Sequence, residues 1–151
     1  MNQRRLTISN QLLRHILEHC LEEKPLEACG ILTGKEDVVL HAYATENARQ
    51  SPVFYEVEPV HQATVLQEME ERGEKLLAIY HSHPTTAAEP SGNDIRLAVH
   101  WPEALRVIVS LAGAAVVRAF LIQSGKVQEV PIRTVPDGGG VWEDLRARPR
   151  A

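Results

Sequence analysis

The sequence has little cysteine, few aromatic residues and no long apolar run. Cys20 and Cys29 are its only cysteines; they are too few for a disulfide framework and lack the C-x-x-C spacing of a zinc clip or a redox pair. We expect both thiols to be reduced and at least partly buried. No apolar stretch of the kind that an export signal needs follows Arg4 and Arg5. The sequence therefore predicts a cytoplasmic protein.

Clustered positive charge is also missing. The chain has 16 Lys and Arg residues against 20 Asp and Glu residues, a formal net charge of −4. Nucleic acids and anionic membranes attract proteins through clusters of Lys and Arg, so we expect neither as a partner. A hydrophobic content of 44% over 151 residues is typical of one soluble globular domain. The composition leaves the oligomeric state open.

The spacing of apolar residues predicts about three helices among seven or eight strands. In the first helix, apolar residues recur at helical spacing from Leu13 to Leu21. His15 and His19 lie outside this apolar face of the helix, and we expect them at the solvated surface. The predicted helices span residues 10–23, 59–72 and 91–101, and the predicted strands span residues 5–8, 27–33, 38–45, 53–57, 76–80, 105–111, 114–122 and 127–132.

No repeat or linker divides this pattern. We therefore expect one α/β domain over residues 1–133, with a central mixed β-sheet flanked by helices. Residues 134–151 form a C-terminal tail that contains Gly138-Gly139-Gly140 and the three arginines Arg146, Arg148 and Arg150. Such a tail either docks on the domain or frays, and the tendency of chain ends to fray favours the second outcome.

Two histidines stand at the end of the predicted central strand. His81 and His83 are separated by one residue, and alternate side chains of a strand share a face, so their imidazoles project in parallel about 7 Å apart along the backbone. Catalytic zinc takes three protein ligands and keeps a fourth position for water. Asp94 is the strongest candidate for the third ligand. Ser91 is a natural N-cap that places Asp94 in the first turn of a helix, where the helix dipole favours a carboxylate.

Hydrolysis at such a site also needs a group that takes a proton from water and passes it to the leaving amine. A carboxylate does this well, and Glu27 is the candidate. It precedes the apolar run from Ala28 to Leu32, so it is expected at the start of a core strand, where a carboxylate needs a partner or a function. Gly30 and Gly34 would permit close backbone approach there. The simpler alternative is an ordinary acidic residue at a strand edge.

Together these residues resemble the JAMM motif of MPN-domain metalloproteases. The pattern is Glu27, then His81-x-His83-Pro84, then Pro90-Ser91-x-x-Asp94, with the family's seven residues between the second histidine and the serine. The Glu-x-Cys-Gly-x-Leu-x-Gly run at residues 27–34 and the region of Asn47, Phe54 and Pro59 resemble the bacterial branch of the family. The resemblance covers roughly residues 5–132.

The resemblance implies a single MPN-type domain in which His81, His83 and Asp94 bind Zn²⁺ at the sheet's edge, beside the helix that starts at Ser91. Glu27 would deprotonate the water in the fourth position. Ser91 would donate a hydrogen bond to the oxyanion of the tetrahedral intermediate, although an N-cap serine needs no catalytic role. The implied reaction is amide hydrolysis, and the implied substrate is a ubiquitin-like protein, in a bacterium a sulfur-carrier protein, cleaved after its C-terminal Gly-Gly.

Alternative folds and functions fit the sequence less well. A zincin needs H-E-x-x-H and a nucleobase deaminase needs P-C-x-x-C, and the sequence contains neither motif. A cupin barrel would use Glu89 after the histidine pair, but Pro84 and the helix at Ser91 argue against an all-β barrel. The remaining alternative is an MPN-type interaction scaffold without metal or activity. All ligand positions of the motif are filled here, which favours an enzyme.

Overall fold

A computed structural model describes residues 4–137 and 139–148. Its helices are α1 (Asn10–Glu23), α2 (Pro59–Glu71), α3 (Gly92–Leu97) and a single 3-10 turn (Leu145–Ala147). Its strands are β1 (Leu6–Ser9), β2 (Cys29–Lys35), β3 (Val38–Thr45), β4 (Lys75–His83), β5 (Leu105–Ser110), β6 (Val116–Gln123), β7 (Lys126–Val130), β8 (Ile132–Val135) and β9 (Val141–Asp144). Within these described residues, no helix has the length and apolar character needed to cross a membrane.

The strands form one mixed sheet, as predicted. Their order is β7-β6-β5-β4-β2-β3-β1-β8, and β9 pairs with β3 outside this path. β4 lies in the interior, antiparallel to β2 and parallel to β5. Tyr80 packs in the apolar cluster under α1, whereas Ile79 packs in the cluster under α2. The predicted central strand, covered on both faces, is therefore confirmed, and it continues through His83.

Helix α1 begins where the sequence predicts, but a different face is buried. The hydroxyl of Ser9 accepts a hydrogen bond from the backbone N–H of Leu12, which caps the helix. The buried positions of α1 are Leu12, Ile16, His19 and Cys20, whereas Leu21 is 57% exposed. The expected solvent exposure of His19 is therefore wrong. Its ring is buried because the apolar stripe is rotated from the predicted one.

Four further segments differ clearly from the prediction. Helix α3 ends at Leu97 rather than near residue 101. Glu36 and Asp37 both have positive φ (51° and 61°) and form a two-residue hairpin turn, so Gly34 lies inside β2. The expected strand at 53–57 is absent from the described chain except for one bridge between Asn47 and Val57. Pro131, which lacks a backbone N–H, separates β7 from β8, where one strand was predicted.

The C-terminal segment docks on the domain. β9 runs parallel to β3, with Val141 opposite His41 and Asp144 opposite Ala44. Leu145 is 2% exposed and belongs to the apolar cluster under α2. The prediction of a frayed tail is therefore wrong for 134–137 and 139–148, because these residues gain sheet hydrogen bonds and a buried leucine. Gly138 and Arg150, named as part of that tail, lie outside the described residues, as do the other residues of 149–151.

Candidate metal centre

Three buried side chains converge at the C-terminal end of β4. The Nε2 atoms of His81 and His83 are 3.1 Å apart, and each is 3.1 Å from one carboxylate oxygen of Asp94. The exposed fractions are 0%, 4% and 6% for His81, His83 and Asp94. The structure thus brings together the three residues that the sequence analysis named as metal ligands. They meet beside α3, at the end of an interior strand and not along an outer strand of the sheet.

Local structure explains why these side chains meet. Strand alternation places His81 and His83 on one face of β4, and Ser82 between them accepts a hydrogen bond from the Ala28 N–H at 2.8 Å. On α3, the Ser91 hydroxyl accepts from the Asp94 N–H (3.1 Å), and the Asp94 carboxylate accepts from the Ser91 N–H (2.9 Å). This reciprocal capping box fixes the direction of the carboxylate.

The donor set fits a zinc ion. Zinc bonds of 2.0–2.1 Å in a tetrahedral site place neighbouring ligand atoms about 3.3 Å apart, close to the spacing of this cluster. His83 Nδ1 lies 2.8 Å from the Ala87 carbonyl, so in the neutral ring Nδ1 donates its proton there and Nε2 carries a lone pair. A cation among the three groups would satisfy two imidazole nitrogens and one carboxylate at once.

The protonation preferences of the cluster reflect burial and hydrogen bonding. Burial lowers the pKa of His81 despite its hydrogen bond to Asp94. Burial also acts against the charged forms of His83 and Asp94. Nevertheless, their mutual hydrogen bond raises the pKa of His83, and the two histidines hold the pKa of Asp94 well below its usual range. Protons therefore compete with a metal ion for these ligand atoms, and metal affinity should fall as the pH falls.

Glu27 lies beside this cluster, immediately before β2. It is 6% exposed, and burial raises its pKa to about 7, an effect opposed by the positive charge of His83 and reinforced by Asp94. Its backbone N–H donates to the Ser51 carbonyl (2.9 Å), and its carbonyl accepts from Asn47 Nδ2 (3.0 Å). Glu27 is therefore a buried carboxyl, held by the 46–58 loop, that can exchange a proton near neutral pH.

Ser91 lies at the exposed rim of the cluster. Its oxygen accepts the capping hydrogen bond from Asp94, and its hydroxyl hydrogen has no acceptor among the described residues. Accepting a capping bond leaves the hydroxyl able to donate to another group. The cap and the predicted oxyanion donor are thus compatible roles for one side chain.

A groove of about 570 Å³ opens next to the cluster, between the 46–58 loop and α3. It combines apolar surface with mainly positive charge, and Glu56 is the acidic residue of its lining. Its apolar lining includes Phe54, Leu97 and Trp101, and its charged lining includes Arg49, Arg96 and Arg106. Tyr55, which also lines the groove, stacks on the ring of His81 with centroids 4.3 Å apart. Tyr55 therefore joins the wall of the groove to one of the metal-binding side chains.

Sequence reasoning missed two residues that build the site. Asn47 bonds to the backbone of Glu27, Phe54 and Glu56, and Tyr55 covers His81. Asn47 was noted only as part of a family-like region, and Tyr55 was not singled out. An Asn at the end of a strand is typical of a turn, but no local pattern connects either residue to a site elsewhere in the chain.

Comparison with known proteins agrees with this geometry. The family described as prokaryotic homologs of the JAB domain matches residues 9–123. A solved protein from Desulfitobacterium hafniense superimposes with a TM-score of 0.79 at 34% identity, covering 87% of this chain and 94% of that one. The family match spans the eight elements from α1 through β6 and includes His81, His83 and Asp94.

Two curated relatives are peptidases. The chain is 36% identical over 134 residues to the CysO-cysteine peptidase of Mycobacterium tuberculosis, covering 86% of this chain and 91% of the relative. It is 37% identical over 128 residues to the "Probable TtuB-protein conjugate cleaving protease" of Thermus thermophilus, covering 84% and 81%. The chain therefore belongs to the family of prokaryotic homologs of the JAB domain, and it is a JAMM-type hydrolase.

Proposed function

We propose that this protein is a zinc-dependent metallopeptidase that hydrolyses an amide bond at the C-terminal Gly-Gly of a ubiquitin-like or sulfur-carrier protein. One observation carries the proposal. The ligand atoms of His81, His83 and Asp94 lie within 4.8 Å of one another, all three side chains are buried, and the buried Glu27 carboxyl stands beside them. Such a set is more specific than any isolated histidine pair.

His81, His83 and Asp94 would hold the ion. When bound, zinc supplies a Lewis acid that lowers the pKa of water and polarises a carbonyl oxygen. The remaining chemistry falls to side chains of this chain. Glu27, with a pKa raised by burial to about 7, takes a proton from the attacking water and delivers it to the leaving amine. This proton transfer contributes about 10²- to 10⁴-fold to the rate of such reactions.

Ser91 stabilises the charge that develops on the substrate carbonyl oxygen. Its hydroxyl is held at the start of α3 by the capping bond with Asp94, so the donor is in place before the substrate arrives. A preorganised donor of this kind is worth about 2 to 4 kcal/mol in the transition state. The cap therefore serves catalysis by fixing the position of the oxygen.

The groove between the 46–58 loop and α3 accommodates the substrate chain. Its lining of aromatic, aliphatic and charged side chains offers both apolar and polar contacts to a peptide segment. A Gly-Gly terminus has no side chains, so its backbone can approach buried ligand atoms closely. The relatives named for CysO-cysteine and for TtuB-protein conjugates support a small carrier protein as the substrate.

The test uses ubiquitin-like proteins from the same genome, each extended after Gly-Gly by one amide-linked residue. The zinc-loaded protein is expected to remove the extension, which intact-mass measurement detects directly. A matched substrate with Val-Val in place of Gly-Gly should be cleaved far more slowly, because its side chains block close approach. Hydrolysis that persists in the Glu27→Gln variant, or in excess chelator, would contradict the proposed mechanism.

A further inference from the structure

The two histidines of the cluster are held in different ways. His83 Nδ1 is 2.8 Å from the Ala87 carbonyl, and a bond of this kind fixes the tautomer and rotation of a metal-binding ring. His81 Nδ1 is buried and has no hydrogen-bond partner among the described residues. Nε2 of His81 faces Asp94, and the rest of the ring is therefore oriented by packing.

Tyr55 supplies this packing. Its ring lies 4.3 Å from the ring of His81, centroid to centroid, with an angle of 19° between the planes. This is a stacked arrangement of the two rings. His81 is fully buried, and Tyr55 packs against the apolar cluster under α2. A flat side chain at position 55 thus limits the tilt of the His81 imidazole.

The hydroxyl end of Tyr55 faces a second buried group, the guanidinium of Arg106, with which it interacts electrostatically. Arg106 is 3% exposed and donates to the carbonyls of Trp101 (3.0 Å), Ala104 (2.9 Å) and His100. The buried arginine thus joins Tyr55 to the turn that follows α3.

The backbone on either side of Tyr55 is held as well. Asn47 Nδ2 donates to the Phe54 carbonyl at 2.9 Å, and Asn47 Oδ1 accepts from the Glu56 N–H at 3.0 Å. One side chain therefore fixes both neighbours of Tyr55. Residues 53–57 form no strand, so these side-chain bonds hold the backbone beside Tyr55 in the place of sheet hydrogen bonds.

We propose that Tyr55 is a positioning residue that fixes the imidazole of His81 for metal binding by ring stacking. This inference rests on the proposed function, in which His81 is a metal ligand. The flat face of the ring is the feature that matters, and the hydroxyl serves only to anchor it. Tyr55→Phe keeps that face, whereas Tyr55→Leu fills similar space and lets the imidazole rotate.

The test measures zinc affinity by competition with a chromophoric chelator. Altering a residue that orients a metal ligand lowers metal affinity about 10- to 100-fold. We expect a loss near the lower end of that range for Tyr55→Leu, and an affinity within about threefold of the parent for Tyr55→Phe. The matched control is Phe54→Leu, which removes the adjacent aromatic ring from the same loop and should leave affinity unchanged. Melting in excess chelator checks that each variant is folded without metal.

The visible spectrum of the Co²⁺-substituted protein gives a second readout. A rotated His81 ring changes the ligand field, so Tyr55→Leu should shift the bands while Tyr55→Phe retains them. If Tyr55→Leu does not fold, Tyr55→Met replaces it as a flexible side chain without a flat face, with the same expected loss.

The outcomes separate this inference from the function on which it rests. A parent protein that binds no zinc would overturn the proposed function. A parent that binds zinc, together with Tyr55→Leu of equal affinity and unchanged Co²⁺ spectrum, would overturn the role of Tyr55 alone. A loss in Tyr55→Phe as large as in Tyr55→Leu would also overturn it, since it would assign the effect to the hydroxyl.

Discussion

Buried histidines lie on both faces of the sheet, in contrasting surroundings. On the α1 side, Nδ1 of His19 lies 2.6 Å from the hydroxyl of Tyr80, and burial together with the charge of Arg146 lowers its pKa to about 3. On the opposite face, His81 and His83 turn their Nε2 atoms toward each other and toward a shared carboxylate. Burial alone therefore does not distinguish a structural histidine from a metal-binding one.

The nearby carboxylate distinguishes the two settings. Glu23 lies 3.8 Å from His19 Nε2, but the same carboxylate oxygen pairs with Arg146 at 2.8 Å. The guanidinium of Arg146 therefore already pairs with the carboxylate beside His19. Asp94 has no ion pair with Lys or Arg in the part of the chain that the structure describes, and the Nε2 atoms of His81 and His83 are the side-chain groups at its oxygens. The cluster of His81, His83 and Asp94, called the strand-end group below, is therefore the one suited to bind an added cation.

The largest effect on turnover is expected for Glu27→Gln. The amide has nearly the same shape as the carboxyl but cannot accept the proton, so kcat/KM should fall about 10²- to 10⁴-fold while zinc content and melting temperature stay close to the parent. In the parent, kcat/KM should fall as the pH drops through the pKa of Glu27, which burial raises to about 7 and bound zinc would lower. Turnover near that of the parent would eliminate Glu27 as the base.

A smaller loss is expected for Ser91→Ala, which tests whether the cap also acts in catalysis. Loss of an oxyanion donor should lower kcat about 10²- to 10³-fold. Loss of the N-cap alone should lower the free energy of unfolding by about 1 kcal/mol and leave kcat nearly unchanged. Rate and denaturant measurements on this one variant separate the two roles.

The smallest effect on turnover is expected on the α1 side, where the predicted change is in stability. The folded-state pKa of His19 is lowered to about 3 from 6.5, so the unfolded chain binds more protons between these pH values. The free energy of unfolding should therefore fall as the pH drops from 6.5 toward 3, by at most about 1.4 kcal/mol per pH unit from this group. Denaturant unfolding over this range measures the slope.

The variant His19→Phe is compared with the parent protein in the same measurement. It removes the titrating group and leaves the Tyr80 hydroxyl without its partner, so it should lower the stability at pH 7 by about 1 to 3 kcal/mol and flatten the acid slope. Zinc content and turnover per folded molecule should remain those of the parent. A zinc loss in this variant would break the distinction between the two histidine settings.

The elements that the sequence predicted best are those specified by local pattern. Helix α1 and strand β3 match their predicted bounds because an N-cap and a run of apolar residues define them locally. The approach of His81, His83 and Asp94 could be predicted for the same reason, since strand alternation and a capped first turn are local features. Placing Glu27 depended more on family resemblance, because its neighbours come from distant segments.

The incorrect predictions depend on tertiary contacts. Docking of residues 141–147 requires an available edge of β3 and an apolar site for Leu145, neither of which the tail's own composition indicates. The burial of His19 depends on Tyr80 and Trp142, which come from β4 and β9. No periodicity links these residues, so the rotation of the α1 stripe could not be predicted from the helix alone.

The most direct test of the account is the zinc content of protein purified without added metal. The parent and the His19→Phe control should each contain about one zinc per chain, and Asp94→Ala should contain little, because it removes the carboxylate shared by both histidines. Absence of metal from the parent, or equal zinc in the parent and Asp94→Ala, would contradict the assignment of the strand-end group as the metal centre.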